Sequence, residues 1–281
     1  MKTPEQLKGA IRNIANNNKL FPQEVLQMFL FERILERLSV SKYRGNFILK
    51  GGLLISSMIG IAERTTMDMD TTVRGVPIED DVIQNIVEEI IKIDVNDGIA
   101  FEITKLEPIR EDDVYNNVRV HLKAIYGKLN NPMKLDITTG DKITPSAVEY
   151  EYKLLFEDKF IPVMAYTLET ILAEKFETII SRGITNTRAR DFYDLYVLFN
   201  SRKDEIRKDV LITAVEHTML KRGSLEKLDR FKEICAEIKA EAALQKLWKN
   251  YVEDNLYAEY LTYEDVVENV LAVGKFIKTD Y

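Results

Sequence analysis

The sequence holds a single cysteine, Cys235, so no internal disulfide and no cysteine-based zinc site can form, and a reducing cytoplasm is the expected setting. Its only histidines, His121 and His217, lie far apart in the chain. Triads and His-rich metal sites are therefore disfavoured, and any acid–base or metal chemistry falls to carboxylates. Long hydrophobic runs are missing too: the stretch from Gly51 to Ala62 is far short of the ~20 residues a membrane helix needs and is broken by glycines. No basic segment leads into an apolar run and a small-residue cleavage site at the N-terminus, so export is not expected, and no membrane partner is. Positive charge is also scarce. Lys and Arg total 39 against 46 Asp and Glu, a net charge of -7, which argues against indiscriminate polyanion binding and leaves any nucleic-acid contact to a local basic patch.

What is present is material for a core. Of 281 residues, 46% are hydrophobic and 30% charged, enough to exclude general disorder and to support two packed units. Thr3-Pro4-Glu5-Gln6 reads as an N-cap, a first-turn proline and a capping box opening a short helix. Pro22 opens a second, with Val25, Leu26, Phe29, Ile34, Leu35 and Leu38 at helical spacing and Glu32, Arg33, Glu36 and Arg37 expected on an opposite, polar side. Phe47-Ile48-Leu49 then reads as a strand, Gly51-Gly52 as a turn, and Leu53 to Ile59 as a short helix. Thr65 to Val73 reads as the next strand, followed by a helix marked by Ile83, Ile86, Val87, Ile90 and Ile91. Strands are expected at 101–103, 118–124 and 133–138, the last two separated by 127–132, and a hairpin pairs 148–156 with 160–164. Thr167 begins a helix that Gly183 ends, and helices dominate from Arg188 onward. The expectation is an α+β protein: residues 1–166 carry N-terminal helices and a largely antiparallel sheet, and residues 167–281 form a helical domain.

Several residues can carry chemistry. Asp68 and Asp70, two apart on an expected strand, project to one side about 7 Å apart at Cα. Such a pair either holds Mg²⁺ together with substrate phosphates or is a solvated strand edge in an acid-rich chain. An EF-hand is excluded, because the sixth position counted from Asp68 is Val73 where the loop needs glycine. Lys50-Gly51-Gly52 lies where backbone N–H groups can approach a phosphate, although it has neither Walker nor dinucleotide spacing and a Gly-Gly pair also makes plain turns. On the strand 134–138, Lys134, Asp136 and Thr138 share one face; if that strand neighbours the one bearing Asp68 and Asp70, three acids converge and call for a cation. Lys175 stands inside the apolar stripe of its helix, four residues from both Ile171 and Ile179. It either reaches past its neighbours to solvent or enters a cleft against phosphate or carboxylate. Asp191, in phase with Leu195 and Leu198, either orients Lys175 or an arginine, or stabilises a helix N-terminus. His121 falls out of phase with the apolar residues of its strand and reads as surface or site periphery, while Trp248, the C-terminal tyrosines and Cys235 read as packing residues.

In order, FILKGGLLI, ERTTMDMDTT, KLDITTGD, LAEKFETIISR and RARDFYDLY resemble the AbiEii/AbiGii toxin family of bacterial nucleotidyltransferases, a resemblance covering roughly residues 5 to 200. It implies a polymerase-beta-like nucleotidyltransferase core with a mixed sheet bearing metal-binding acids, and a helical C-terminal domain closing the cleft. Carried over, Asp68, Asp70 and Asp136 match the family's Mg²⁺-binding acids. Lys175 and Asp191 join them as catalytic residues, and Lys50, Gly51, Gly52, Arg64, Thr66, Lys175, Arg190 and Asp194 match nucleotide-binding positions. Met67 and Met69 replace residues that are usually Lys and Ile, and Thr65 one that is often Pro. The resemblance further implies a role in abortive infection, phage defence or toxin–antitoxin systems. It also implies NTP as substrate, an RNA acceptor that is tRNA in related enzymes, and a cognate antitoxin of AbiEi type. Two other readings stand beside nucleotidyl transfer: phosphoryl transfer to a protein or small molecule, and non-catalytic partner binding.

Overall fold

The computed structural model describes residues 3–109 and 117–278. The chain divides into two compact units, Met1–Asp141 with Ala147–Ala165, and Lys142–Ser146 with Tyr166–Tyr281. In the first, helices α1 (Pro4–Asn17) and α2 (Pro22–Ser39) precede β1 (Phe47–Lys50), α3 (Gly51–Ile59), β2 (Met69–Val73) and α4 (Asp80–Ile91). The strands β3 (Ala100–Pro108), β4 (Val118–Tyr126), β5 (Leu129–Thr139), β6 (Val148–Lys153) and β7 (Phe160–Ala165) follow. Among the described residues one seven-stranded sheet forms, in the order β3-β4-β5-β2-β1-β7-β6. It is mixed: β1 pairs with β7 and β2 with β5 in parallel, and the other neighbours are antiparallel. The α+β class expected from the sequence is the observed one.

Local signals account for much of this. Thr3 caps α1 and Gln6 closes the capping box. Alternation along β4 buries Val118, Val120, Leu122 and Ala124 and turns Arg119, His121 and Lys123 to the other face. Three expectations need correction. The strand carrying the paired acids begins at Met69 rather than Thr65, so Asp70 is on β2 while Asp68 sits in the bend before it. The turn between β4 and β5 is only Gly127-Lys128, because Tyr126 pairs with Leu129 and Gly127 adopts φ +59°.

The third correction concerns α2, whose supposedly polar side is buried: Glu32, Arg33, Glu36 and Arg37 are all enclosed. The helix packs against α1, α4 and β7, and connecting segments cover its charges. Buried polar and charged groups need partners, and each of the four finds one. Arg37 donates to both carboxylate oxygens of Asp97 at 2.6 and 2.7 Å and to the Ile99 carbonyl at 2.8 Å. Arg33 pairs with Glu36 at 2.9 Å and with Glu157 at 3.2 Å, and Lys159 pairs with Glu36. Glu32 accepts the Leu155 N–H at 3.0 and 3.1 Å; burial pushes its carboxyl up to about 8, against the opposing effect of that N–H and of Arg33.

The second unit is helical: α5 (Leu168–Arg182), α6 (Ala189–Ser201), α7 (Lys208–Lys221), α8 (Phe231–Ala240), α9 (Ala242–Asp254) and α10 (Tyr263–Ile277). Thr167 caps α5 by accepting the Thr170 N–H at 3.1 Å, and Gly183 ends the helix at φ +52°. Residues Lys142–Ser146 belong to this unit because Thr144 is held at the start of α5. Its carbonyl accepts the Thr167 hydroxyl at 2.8 Å, its N–H donates to the Thr170 hydroxyl at 3.0 Å, and its own hydroxyl is 3.1 Å from Nδ1 of His217. Trp248 is buried with its indole N–H on the Leu261 carbonyl at 3.3 Å, and Tyr193 stacks near Tyr251 and Tyr257, so these aromatics are packing residues. Cys235 is buried as well, and burial pushes its thiol up to about 12. Among the described residues no helix is long and apolar enough to cross a membrane.

Candidate active site

Strand register assembles the acids of the first unit. Lys50 lies opposite Asp70 across β1 and β2, Asp70 beside Asp136 across β2 and β5, and Asp136 opposite Arg119 across β5 and β4. Lys50, Asp70, Asp136 and Arg119 thus form one row across four strands, and their side chains leave the same face of the sheet. Neighbouring members of such a row are separated by about 4.8 Å, the strand spacing.

The row is held at both ends. Arg119 donates Nε to Oδ1 of Asp136 and Nη2 to Oδ2, each at 2.7 Å, a two-pronged match of guanidinium to carboxylate. At the other end Lys50 donates to the Thr138 hydroxyl at 2.6 Å and pairs with Asp141. The bond to Asp136 raises the Arg119 guanidinium further above its ordinary value despite partial burial, and the charges of Asp68 and Glu107 add to it. His121, next on β4, is half-buried with Nε2 at 2.8 Å from Glu107, at the periphery of the row.

The glycine pair, expected as a turn ahead of a helix starting at Leu53, instead forms the first residues of α3, and this glycine-opened turn is in direct contact with the row. Gly51 adopts φ +67°, and a Cβ built there would lie 2.1 Å from Oδ2 of Asp70. A Cβ on Gly52 would stand 2.7 Å from the Thr66 hydroxyl and 3.1 Å from Nη2 of Arg64. Thr66 and Arg64 are both buried beneath the turn. Thr66 donates its hydroxyl to the Asp68 carbonyl at 3.1 Å, Arg64 donates to the Thr65 carbonyl, and the Thr65 hydroxyl donates to Glu24 at 2.6 Å. Both glycines are thus required by neighbouring side chains, one by an acid of the row and one by the segment that carries the other acid.

Among the described residues no group of three or more His, Cys, Asp or Glu side chains is gathered closely enough to hold a metal ion. Asp136, expected as the third acid, is beside Asp70 but has both oxygens on Arg119. The donor set still fits a divalent cation: Asp68 and Asp70 offer hard oxygen ligands, and the missing side chain of Gly51 leaves the space that the Asp70 carboxylate fills. A cation such as Mg²⁺ takes one or two carboxylates and completes its shell with phosphates.

In the second unit, Lys175 of α5 donates to Asp191 at 2.6 Å and is paired with Asp194 at 2.8 Å, both on α6. Asp194 is fully buried and Asp191 nearly so. Burial pulls the Lys175 ammonium down, but the two carboxylates outweigh it and hold it above its usual range. Lys175 is therefore a fixed cation rather than a base. Arg188 approaches the second oxygen of Asp191 at 3.4 Å, whereas Arg190 is exposed on α6.

Sequence reasoning missed Arg119 and Asp141. Alternation along β4 does put Arg119 on the polar face, but its partner depends on the length of the Gly127-Lys128 turn, which sets the register of β4 against β5.

A family profile described as nucleotidyl transferase AbiEii toxin, type IV TA system, matches residues 33–269. No curated protein sequence matches the chain. Among solved structures, JHP933 from Helicobacter pylori is similar at 16% identity and a TM-score of 0.54, over 92% of this chain and 92% of that one. It speaks to the fold alone. A second H. pylori structure is similar at 17% identity and a TM-score of 0.49, over 92% of this chain and 95% of that one.

Proposed function

The chain belongs to the AbiEii family of type IV toxin–antitoxin nucleotidyltransferases, and from that membership we propose that it moves a nucleoside monophosphate from an NTP to a hydroxyl on RNA, with tRNA as the acceptor. The acceptor oxygen forms a bond to the α-phosphorus as the bond to the bridging oxygen of the β-phosphate breaks. Pyrophosphate leaves with that bridging oxygen, and the hydroxyl proton passes to a carboxylate or water. A cytoplasmic setting, an AbiEi-type antitoxin and a part in phage defence complete the proposal.

The observation that supports it is the register of Asp70 with Asp136 on adjacent parallel strands, against a glycine turn with no side chain in the way. Asp68 and Asp70 would hold the divalent ion, which we take to be Mg²⁺; when bound it supplies positive charge to the triphosphate. Asp136 is assigned as the third acid, either ligand or acceptor of the hydroxyl proton. Gly51 and Gly52 keep the backbone open to phosphate, and Lys50 steadies the end of the row through Thr138 and Asp141. Arg64 and Thr66 act from below, by fixing the turn and the Asp68 segment. Lys175, oriented by Asp191 and Asp194, supplies a permanent positive charge for phosphate, with Arg190 as an exposed second cation.

The test is incorporation of label from NTPs into total RNA. Alpha-labelled NTP is expected to label RNA while gamma-labelled NTP labels neither RNA nor protein. Asp70→Asn should reduce incorporation at least 100-fold. Transfer of gamma label would replace this reading by phosphoryl transfer.

A further inference from the structure

Asp136 stands one strand from Asp70, where a third carboxylate could join the other two, yet both its oxygens are bonded to a cation of the chain itself. That cation, Arg119, comes from the opposite neighbouring strand, and 28% of its side chain is exposed, so the guanidinium can rotate outward without disturbing the β4–β5 ladder. The ladder is already continuous from Val118↔Ile137 to Tyr126↔Leu129, so the strands do not depend on the ion pair for their registration.

We propose that Arg119 is a displaceable placeholder cation: it occupies Asp136 while no divalent ion is bound, and releases it to join Asp68 and Asp70 when one arrives. The inference rests on the metal role assigned to those two acids above. A guanidinium and a divalent ion repel one another on a single carboxylate, so each weakens the other's hold on Asp136. Two consequences follow for this chain. Its affinity for free metal is lowered by the need to displace Arg119, and a guanidinium with five donors becomes accessible once the metal is in place.

The experiment uses Mn²⁺ alone, its binding followed by electron paramagnetic resonance, on the full chain and on Arg119→Gln, Arg119→Lys and Asp68→Asn. Arg119→Gln should bind Mn²⁺ at least five-fold more tightly than the parent, Arg119→Lys should fall between them, and Asp68→Asn should lose the site. In the unaltered protein, Mn²⁺ should raise phenylglyoxal modification of Arg119, read by peptide mass spectrometry, at least three-fold. This second measurement decides the matter if Arg119→Gln does not fold. An Asp68-dependent Mn²⁺ site whose affinity is unchanged or weaker in Arg119→Gln, with Arg119 reactivity indifferent to Mn²⁺, would overturn the placeholder role and leave the metal reading intact. Absence of any Mn²⁺ site in the unaltered protein, even with NTP present, would overturn both.

Discussion

The carboxylate of Asp70 fills the space that any side chain at Gly51 would need: a Cβ there would come within 2.1 Å of Oδ2. Backbone and acid are thereby coupled, since Gly51 also holds φ +67°, where an L side chain is strained. Gly51→Ala is expected to cost about 1–3 kcal/mol of stability and to lower nucleotidyl transfer by roughly 100-fold, by pushing Asp70 out of line. Chemical denaturation and the labelled-NTP assay measure the two effects. Retention of full activity would show that the acid tolerates displacement.

Lys175 should behave as one member of a three-residue unit. Lys175→Met takes the shared ammonium away from Asp191 and Asp194, both buried, and should destabilise the helical unit by ~3–5 kcal/mol. The triple change Lys175→Met, Asp191→Asn, Asp194→Asn removes the charges together and should recover at least half of that loss. Urea denaturation curves for the two variants provide the comparison; equal midpoints would mean that the carboxylates do not depend on the lysine.

Stability of the first unit should fall with rising pH because of Glu32. Its native carboxyl titrates at about 8 against an ordinary value of 4.5, so between those values the folded chain keeps a proton that the unfolded chain releases. Stability is therefore lost progressively as pH climbs through that window and levels off above it, the whole effect being on the order of 5 kcal/mol. Arg33, Tyr152 and Glu157 are the charged or titratable groups that face Glu32. Glu32→Gln keeps an acceptor for the Leu155 N–H and should flatten the profile. Unfolding midpoints at pH 5, 6.5, 8 and 9 test this, and parallel profiles for the two proteins would contradict it.

Gly274 in α10 offers a reversal of an ordinary rule. Replacing a glycine within a helix by alanine normally gains up to ~1 kcal/mol. Here the new Cβ would lie 2.3 Å from the ring of Phe231 on α8. Gly274→Ala should instead lose ~1–3 kcal/mol through overpacking, and pairing it with Phe231→Leu should restore most of the loss. A thermal melt that rises in the single variant would refute the contact.

Where local chemistry is decisive, the elements were legible. The Thr3 capping box, the proline openings at Pro4 and Pro22, the alternation of β4 and the Gly183 stop each act within a few residues, and each has the structure expected of it. The pairing of Lys175 with Asp191 was also within reach, because a lysine in an apolar stripe must find a counter-charge or solvent. What could not be read depends on partners distant in sequence. Glu32, Arg33, Glu36 and Arg37 look like a solvated helix face until Asp97, Leu155, Glu157 and Lys159 close over them. Arg119 is ordinary polar filling in β4 until the two-residue turn brings it opposite Asp136. The start of β2 was misjudged by four residues because the Thr-rich segment before it has high strand propensity but is bound instead beneath the glycine turn.

The four-strand row ties the candidate site to the threading of the sheet. Side chains alternate between faces, so sliding β2 by a single residue would send Asp70 into the hydrophobic layer and bring Met69 or Thr71 out in its place. A misthreaded copy would thus lose the proposed site by the same error that spoils its folding, so the chemistry proposed for this chain is tied to the correct alignment of its sheet.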